Sequence, residues 1–356
     1  MHTSKCIPLA NKNYYMTENR KAIFFGNGLN RINGGVDWEE LLKSLAKDGS
    51  TFKINSNTLR YEAMYLSRSI HIRKHTPPRK ITEYEIKEKI AEKLKEEQQG
   101  INGIYKQLAN LPISEYITTN YDYSLELTLQ NEGYEEVKYD KSEKIYSIHR
   151  YRKYSNGNEV KRIWHIHGDL VVPQSIMLGY DHYCGSLAKI NEYMKGTYSF
   201  KHKHGKRENI GKIEERLRKS KDGLAVRSWI DLFFAFDIDF IGYGLDLSEI
   251  DIWWVLNKRM RILKEQRAKI GNDITFHTIE NGQENDFEEK CKVLETFGVE
   301  CKKYQHSETT NVYATLYGEI LNGIYDTNET ELKAAEKNKD QYKSRLASIT
   351  GKTNKN

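Results

Sequence analysis

Cysteine is scarce in this sequence. The four present, Cys6, Cys184, Cys291 and Cys301, are scattered, and no Cys-x-x-Cys pair occurs. That excludes a zinc knuckle and supports no disulfide framework, so a reducing cytoplasm is the expected compartment. Proline is rare, with five residues, and glycine is ordinary, with 24, which excludes collagen-like and low-complexity chains. No run approaches the ~20 consecutive apolar residues of a membrane span. The opening Met1-His2-Thr3-Ser4-Lys5-Cys6 also lacks the apolar stretch of a secretion signal. Charge of one sign is missing as well: 56 basic against 50 acidic residues leave +6, which permits an acidic partner without arguing for one.

What is present is material for a sizeable core, with 38% hydrophobic residues in 356. At ~150 residues per domain this length fits two domains, or one large α/β domain with insertions. Short apolar runs end repeatedly in small polar turns. Lys21–Phe25 stops at Gly26-Asn27-Gly28, and 113–119 stops at Asn120-Tyr121-Asp122. Residues 162–167 stop at Gly168-Asp169, and 236–241 stops at Gly242-Tyr243-Gly244. Each reads as a buried strand closed by a turn. Further strands are expected at 145–154, 175–179, 273–279 and 299–304. Helices are expected from Asp37, over 84–97 with Ile86, Ile90, Ala91 and Leu94 on one stripe, and over 124–131, 248–263 and 286–297. Strand, turn and helix in alternation predict an α/β fold: a Rossmann-like, doubly wound parallel sheet with helical insertions at about 48–110 and 180–228. A lead-in occupies 1–20, and a polar, lysine-rich tail occupies 330–356.

In such sheets ligands bind beyond the carboxyl ends of the strands. Four clusters sit there. Gly26-Asn27-Gly28 is either a tight turn or a cradle for a diphosphate; Arg31 stands where a third fingerprint glycine would be. Asn120 and Asp122 either face one crevice or form an Asx-turn and helix cap. His165 and His167 share a face unless the strand ends between them; the deeper His165 reads as structural, and His167 as a candidate base. After Gly242-Tyr243-Gly244, Asp251 either caps a helix or faces ligand, and Trp253 and Trp254 read as core or interface. The basic stretch 201–221 reads as a solvated insertion, with nucleic-acid contact as the alternative; His202 and His204 have no carboxylate or cysteine at ligand spacing.

Taken in order, Phe24-Phe25-Gly26-Asn27-Gly28-Leu29-Asn30, Trp38 with Leu41-Leu42, Ile117-Thr118-Thr119-Asn120-Tyr121-Asp122, His167-Gly168 and Ile241-Gly242-Tyr243-Gly244 resemble the zinc-less, sirtuin-like NADases of bacterial anti-phage defence. The match spans about 21–255, and Ser248–Trp254 is similar to a late motif of related abortive-infection proteins. The resemblance implies a sirtuin-like NAD-binding catalytic domain over 21–329 and NAD+ as substrate. Asn120 would order the nicotinamide ribose and a water, Asp122 would face the carboxamide, and His167 would stand at the ribose hydroxyls. Gly26, Asn27, Gly28, Asn30 and Thr119 would line the diphosphate and ribose, and Gly242, Tyr243 and Gly244 the adenosine side. No four-cysteine zinc module is present, and Val36-Asp37-Trp38 replaces the Ile-Pro-Asp-Phe-Arg-like segment of deacetylating sirtuins, so water is the expected acceptor and no metal is expected. The resemblance further implies an anti-phage abortive-infection effector, regulated by homo-oligomerisation or by a hexameric DNA-translocating ATPase of the FtsK/HerA type. The alternative is a non-catalytic NAD or ADP-ribose sensing module.

Overall fold

Apolar runs bounded by turns become strands throughout the computed structural model of the chain. It describes residues 20–34, 41–42, 56–74, 83–96, 101–138, 145–201, 207–220, 223–279, 284–305 and 312–325. The lead-in, the helix start at Asp37, Trp38, His202, His204 and the tail at 330–356 lie outside these. In chain order the strands are β1 (Lys21–Phe25), β2 (Glu115–Thr118), β3 (Glu135–Val137), β4 (Arg152–Asn156), β5 (Glu159–His165), β6 (Ser199–Lys201), β7 (Arg207–Asn209), β8 (Asp237–Ile241), β9 (Ile274–Ile279) and β10 (Glu300–Tyr304). Eight form one sheet in the order β10-β9-β8-β1-β2-β5-β4-β3, and β6 pairs with β7 alone. From β10 to β5 every pairing is parallel, while β4 and β3 extend the edge antiparallel.

The parallel strands grow outward from β1 in both directions, through β2 to β5 on one side and through β8 to β10 on the other. That is the doubly wound order of dinucleotide-binding folds, with its switch point between β1 and β8. Both faces are covered. Phe24, Trp164, Phe233, Phe240, Ile252 and Leu256 fill one core; Ile23, Phe25, Tyr105, Leu108, Tyr116 and Ile320 fill the other. The alternation of Phe24 and Phe25 between these cores is the period-two geometry of a strand buried on both faces.

A third cluster lies over the β2 end of the sheet. The helices Asn57–Lys74 and Glu83–Glu96 bring Tyr61, Met64, Ile86, Ile90 and Ala91 against Tyr121, Tyr123, Leu170 and Ile176. The expected stripe on the second helix is therefore its buried face. Helix Gly103–Asn110 instead lies in the core under β1, capped by Asn102, whose side chain accepts from Ile104 N and Tyr105 N.

Two expected strands are corrected. Residues 175–179 form no strand: a 3-10 turn occupies Pro173–Ser175, and the chain then runs extended, joined to the sheet's rim by Met177 N donating to His167 O at 2.9 Å. The strand expected over 145–154 starts only at Arg152. Before it, Tyr146 takes φ 51°, and the turn is tied down by Ser228 Oγ donating to Ile148 O at 2.7 Å. The basic stretch yields the short β7 and helix Ile213–Lys219. In it, Arg216 is committed to Asp231 and to the Tyr193 hydroxyl.

Candidate active site

Register assembles the site. Phe25 pairs with Ile241 on one side and with Thr118 on the other, and Thr118 pairs with His165. Four adjacent strands thus end level with one another. Two residues further along each chain stand Tyr243, Asn27, Asn120 and His167. Segments more than two hundred positions apart thereby place polar groups along one rim, at the carboxyl ends beside the switch point.

The two glycine turns lock together. A Cβ on Gly26 would lie 2.7 Å from Gly242 O, and one on Gly28 would lie 2.6 Å from Gly242 O and from Tyr317 Oη. Gly26 N donates to Ile241 O at 3.1 Å and Gly28 N to Gly242 O at 2.8 Å. These amides hold β1 to β8, and neither is spare for a phosphate. Only a residue without a side chain permits this approach. The helix after β1 is a 3-10 helix, Asn27–Asn33, ended by Gly34.

Asn30 is fully buried and fully engaged. Its Nδ2 donates to Asn27 Oδ1 and to Asp122 Oδ2, both at 2.8 Å, and its Oδ1 accepts from Tyr105 Oη at 2.7 Å. Asp122 Oδ1 accepts from Ser124 N at 3.0 Å, the Asx-turn alternative, and Asp122 also ties the β2 turn to the β1 turn. Thr119 is half-buried beside Asn120.

Asn120 differs from Asn30. Its backbone is satisfied, with N donating to Thr118 Oγ1 at 3.0 Å and O meeting His165 Nδ1 at 3.0 Å. Its side-chain Nδ2 is buried and has no partner. Such a donor costs stability and is free to meet an acceptor from outside the protein.

β5 ends at His165, and the two histidines part there. His165 Nε2 turns to the buried Glu126 at 2.5 Å, a structural pair. His167, 3% exposed, places Nε2 3.1 Å from Asp251 Oδ2. Gly168 follows with φ 129°, and its Cα face packs on Ser175 O and Ile176, so the chain can turn away directly after the histidine. Asp169 is buried beside Arg152 and the Tyr123 hydroxyl, as a structural anchor.

Asp251 is completely buried in the first turn of helix Ile250–Lys264, where its other oxygen, Oδ1, accepts from Ile252 N at 3.0 Å. Asp251 does not cap the helix, whose N-cap position is Glu249; it braces the first turn through Ile252 N and meets His167 with its other oxygen. Trp253 and Trp254 behind it pack on the core.

Three phenols and a second carboxylate complete the wall. The Tyr183 ring meets the His167 ring edge-on at 5.4 Å. Tyr121 Oη donates to Met177 O at 2.9 Å, and Tyr243 Oη is buried without a well-formed hydrogen bond. Burial pushes all three phenols up, and the Glu249 and Asp251 carboxylates push them further, so they are neutral donors. Burial likewise raises the Glu249 carboxyl to about 7, against the opposing pull of His167. Burial disfavours the charged form of His167, but the adjacent Asp251, aided by Glu249, overrides this and raises its pKa above the ordinary value.

The rim thus offers an unpaired amide donor, an imidazole held by a carboxylate, and neutral phenols, a set suited to polarising water and gripping hydroxyls. Sequence reasoning missed Glu249 and Tyr183. Glu249 lies within the Ser248–Trp254 motif, but nothing in the local pattern places it or Tyr183 at His167, because a helix and a turn from elsewhere bring them there. Among the described residues, no group of three or more His, Cys, Asp or Glu converges as metal ligands would, and no helix is long and apolar enough to cross a membrane.

Residues 114–209, which include Asn120, Asp122, His167 and Tyr183, match the family model described as the SIR2-like domain. The NAD(+) hydrolase ThsA of Acinetobacter baumannii (strain 532279) is 29% identical over 168 residues, 47% of this chain and 31% of that protein. The chain therefore matches less than a third of that relative's length.

Proposed function

We propose that this chain, which carries a SIR2-like domain over residues 114–209, is an NAD+ glycohydrolase that releases nicotinamide and ADP-ribose. One observation carries the proposal: at the level of one rim position, Asn120 presents a buried, unpartnered amide donor beside a His167 held by Asp251. The name of the relative, an NAD(+) hydrolase, supports the same substrate.

The chemistry needs little more. Nicotinamide leaves a positively charged bond, so cleavage passes through an oxocarbenium-like state without a strong nucleophile. The C1′–N bond breaks with its electron pair going to the nicotinamide nitrogen. A water oxygen bonds C1′ and gives its proton to His167. Asn120 orders that water and the ribose. Asp122 meets the carboxamide with the lone pairs that Asn30 and Ser124 leave. Gly26 and Gly28 act through shape, by bringing the β1 and β8 turns together under the diphosphate. Asn27 and Thr119 border the diphosphate and ribose, Asn30 holds Asn27 and Asp122 in place behind them, and Tyr243 with Gly244, beside which space is open, borders the adenosine.

The purified chain is expected to convert NAD+ to nicotinamide and ADP-ribose in equal amounts, with Asn120→Ala and His167→Ala each slower by about 10²-fold or more. Tight NAD+ binding without nicotinamide release, alone and with its genomic partners, would favour the sensing module instead. We also propose the role implied by the resemblance, an effector of anti-phage abortive infection acting as a homo-oligomer or with a DNA-translocating ATPase. Infected cells should then lose NAD+ with the wild-type gene and keep it with Asn120→Ala.

A further inference from the structure

Among the described residues Asp251 makes one hydrogen bond beyond its own helix: Oδ2 lies 3.1 Å from His167 Nε2. It is completely buried, and an unpaired carboxylate in that position would be costly. An ionised carboxylate only accepts, so it selects the tautomer with the proton on Nε2 and leaves the Nδ1 lone pair as the basic atom of the ring.

We propose that Asp251 is the positioning residue of His167: by accepting Nε2–H it fixes the imidazole tautomer and makes Nδ1 the atom that takes the proton of the attacking water. This rests on the hydrolase assignment above for the identity of the reaction, but not for the state of the ring. The proton balance is complete. Water supplies oxygen to C1′, the glycosidic electron pair leaves with nicotinamide, and the proton resides on Nδ1 while Nε2–H remains on Asp251.

The groups facing His167 come from three segments. Asp251 belongs to the helix Ile250–Lys264, Glu249 to the turn before it, and Tyr183 to the helix Tyr180–Lys195. Tyr121 and Tyr243 lie within the field of the same two carboxylates. Tyr183, Tyr121 and Tyr243 stay neutral, so Asp251 and Glu249 are the charges that act on the ring. Both favour imidazolium, against burial. Turnover then climbs with pH through a midpoint raised above that of an ordinary histidine. Glu249 ionises at about 7, and its charge and that of His167 favour one another.

Asp251→Asn separates this role from a structural one. Its carbonyl oxygen still accepts from Ile252 N, while its NH2 donates toward Nε2 and forces the proton onto Nδ1. The experiment is histidine-labelled NMR of the full chain without substrate, with the His167 signal assigned by its loss in His167→Gln, alongside the pH profile of kcat. In the wild type the neutral ring should carry its proton on Nε2. In Asp251→Asn the proton should move to Nδ1 and the midpoint should fall by about one pH unit or more. Turnover should drop by about 10²-fold or more, with KM for NAD+ little changed. Glu249→Gln should lower the midpoint without moving the proton, and it supplies the comparison if Asp251→Asn does not fold. A wild-type proton on Nδ1, or a His167 midpoint indifferent to Asp251, overturns the assignment. So does an altered ring with unaltered kcat. A wild type that shows the expected ring state but never hydrolyses NAD+ refutes the hydrolase and leaves the Asp251–His167 assignment supported.

Discussion

Asn120 and Glu249 show at the residue scale how groups can be held at a cost to the fold. The Asn120 amide nitrogen is buried and unpaired, a defect worth about 1–3 kcal/mol. Asn120→Ala removes it while sparing both backbone bonds. We expect denaturation to show unchanged or slightly higher stability, by up to about 1 kcal/mol, in a variant that has lost most of its turnover. A clear loss of stability would mean that Nδ2 has a protein partner. Glu249 makes a pH-dependent prediction. Its folded pKa of about 7 lies above its ordinary 4.5, so the folded state binds the extra proton between these values. The group costs nothing well below about 4.5, and its penalty grows between about 4.5 and about 7 and is constant above. Glu249→Gln should therefore match the wild type well below pH 4.5 and exceed it at pH 8 by on the order of 1–3 kcal/mol. Equal stabilities at both pH values would contradict the raised pKa.

At the scale of elements, the junction of the β1 and β8 turns is the most constrained feature. Gly26→Ala would push a methyl to 2.7 Å from Gly242 O, whereas Gly244→Ala meets open space. We expect Gly26→Ala to cost about 1–3 kcal/mol by overpacking and Gly244→Ala under about 0.5 kcal/mol, as read by chemical denaturation. Comparable losses in the two variants would argue against a close approach of these turns. These strands were legible in the sequence because Lys21–Phe25 is an apolar run, 236–241 alternates Phe236, Ile238 and Phe240 with Asp237 and Asp239 before Ile241, and both end in glycine. Residues 175–179 were not legible. Their apolar run buries itself against the helix Glu83–Glu96 rather than in a sheet, and periodicity does not say which surface an apolar run will meet. The site divides in the same way. Asn120 and His167 stand at strand ends and could be read locally. The unpaired state of Asn120 Nδ2, and the convergence of Asp251, Glu249 and Tyr183 on His167, come from tertiary packing alone.

At the scale of the whole molecule, the helices Asn57–Lys74 and Glu83–Glu96 are fastened by side chains to one another and to the turn Pro173–Ser175 and the helix Tyr180–Lys195. His182 receives Leu178 N and Gly179 N on Nδ1, both at 2.9 Å, and contacts Glu83 on its other nitrogen. The Tyr61 hydroxyl donates to the same Glu83 at 3.1 Å, and Lys87 reaches Gln174 O at 3.2 Å. The His182 hydrogen bond, against some desolvation, holds the Glu83 carboxyl down at about 2, and Glu83 is partly exposed, so solvent screens the contact. Glu83→Ala should speed amide exchange in Glu83–Glu96 and leave β1, β2 and β8 as slow as before; equal acceleration in the strands would show that these helices are integral to the core. The level strand ends have a last consequence, in time rather than in space. Asn27, Asn120, His167, Tyr243 and Asp251 meet only when β8 and the helix Ile250–Lys264 have docked beside β1. During translation the ribosome must release residue 264 and beyond before the rim exists. A nascent chain, or one truncated before residue 264, therefore cannot assemble this rim, whatever else of the sheet it has folded.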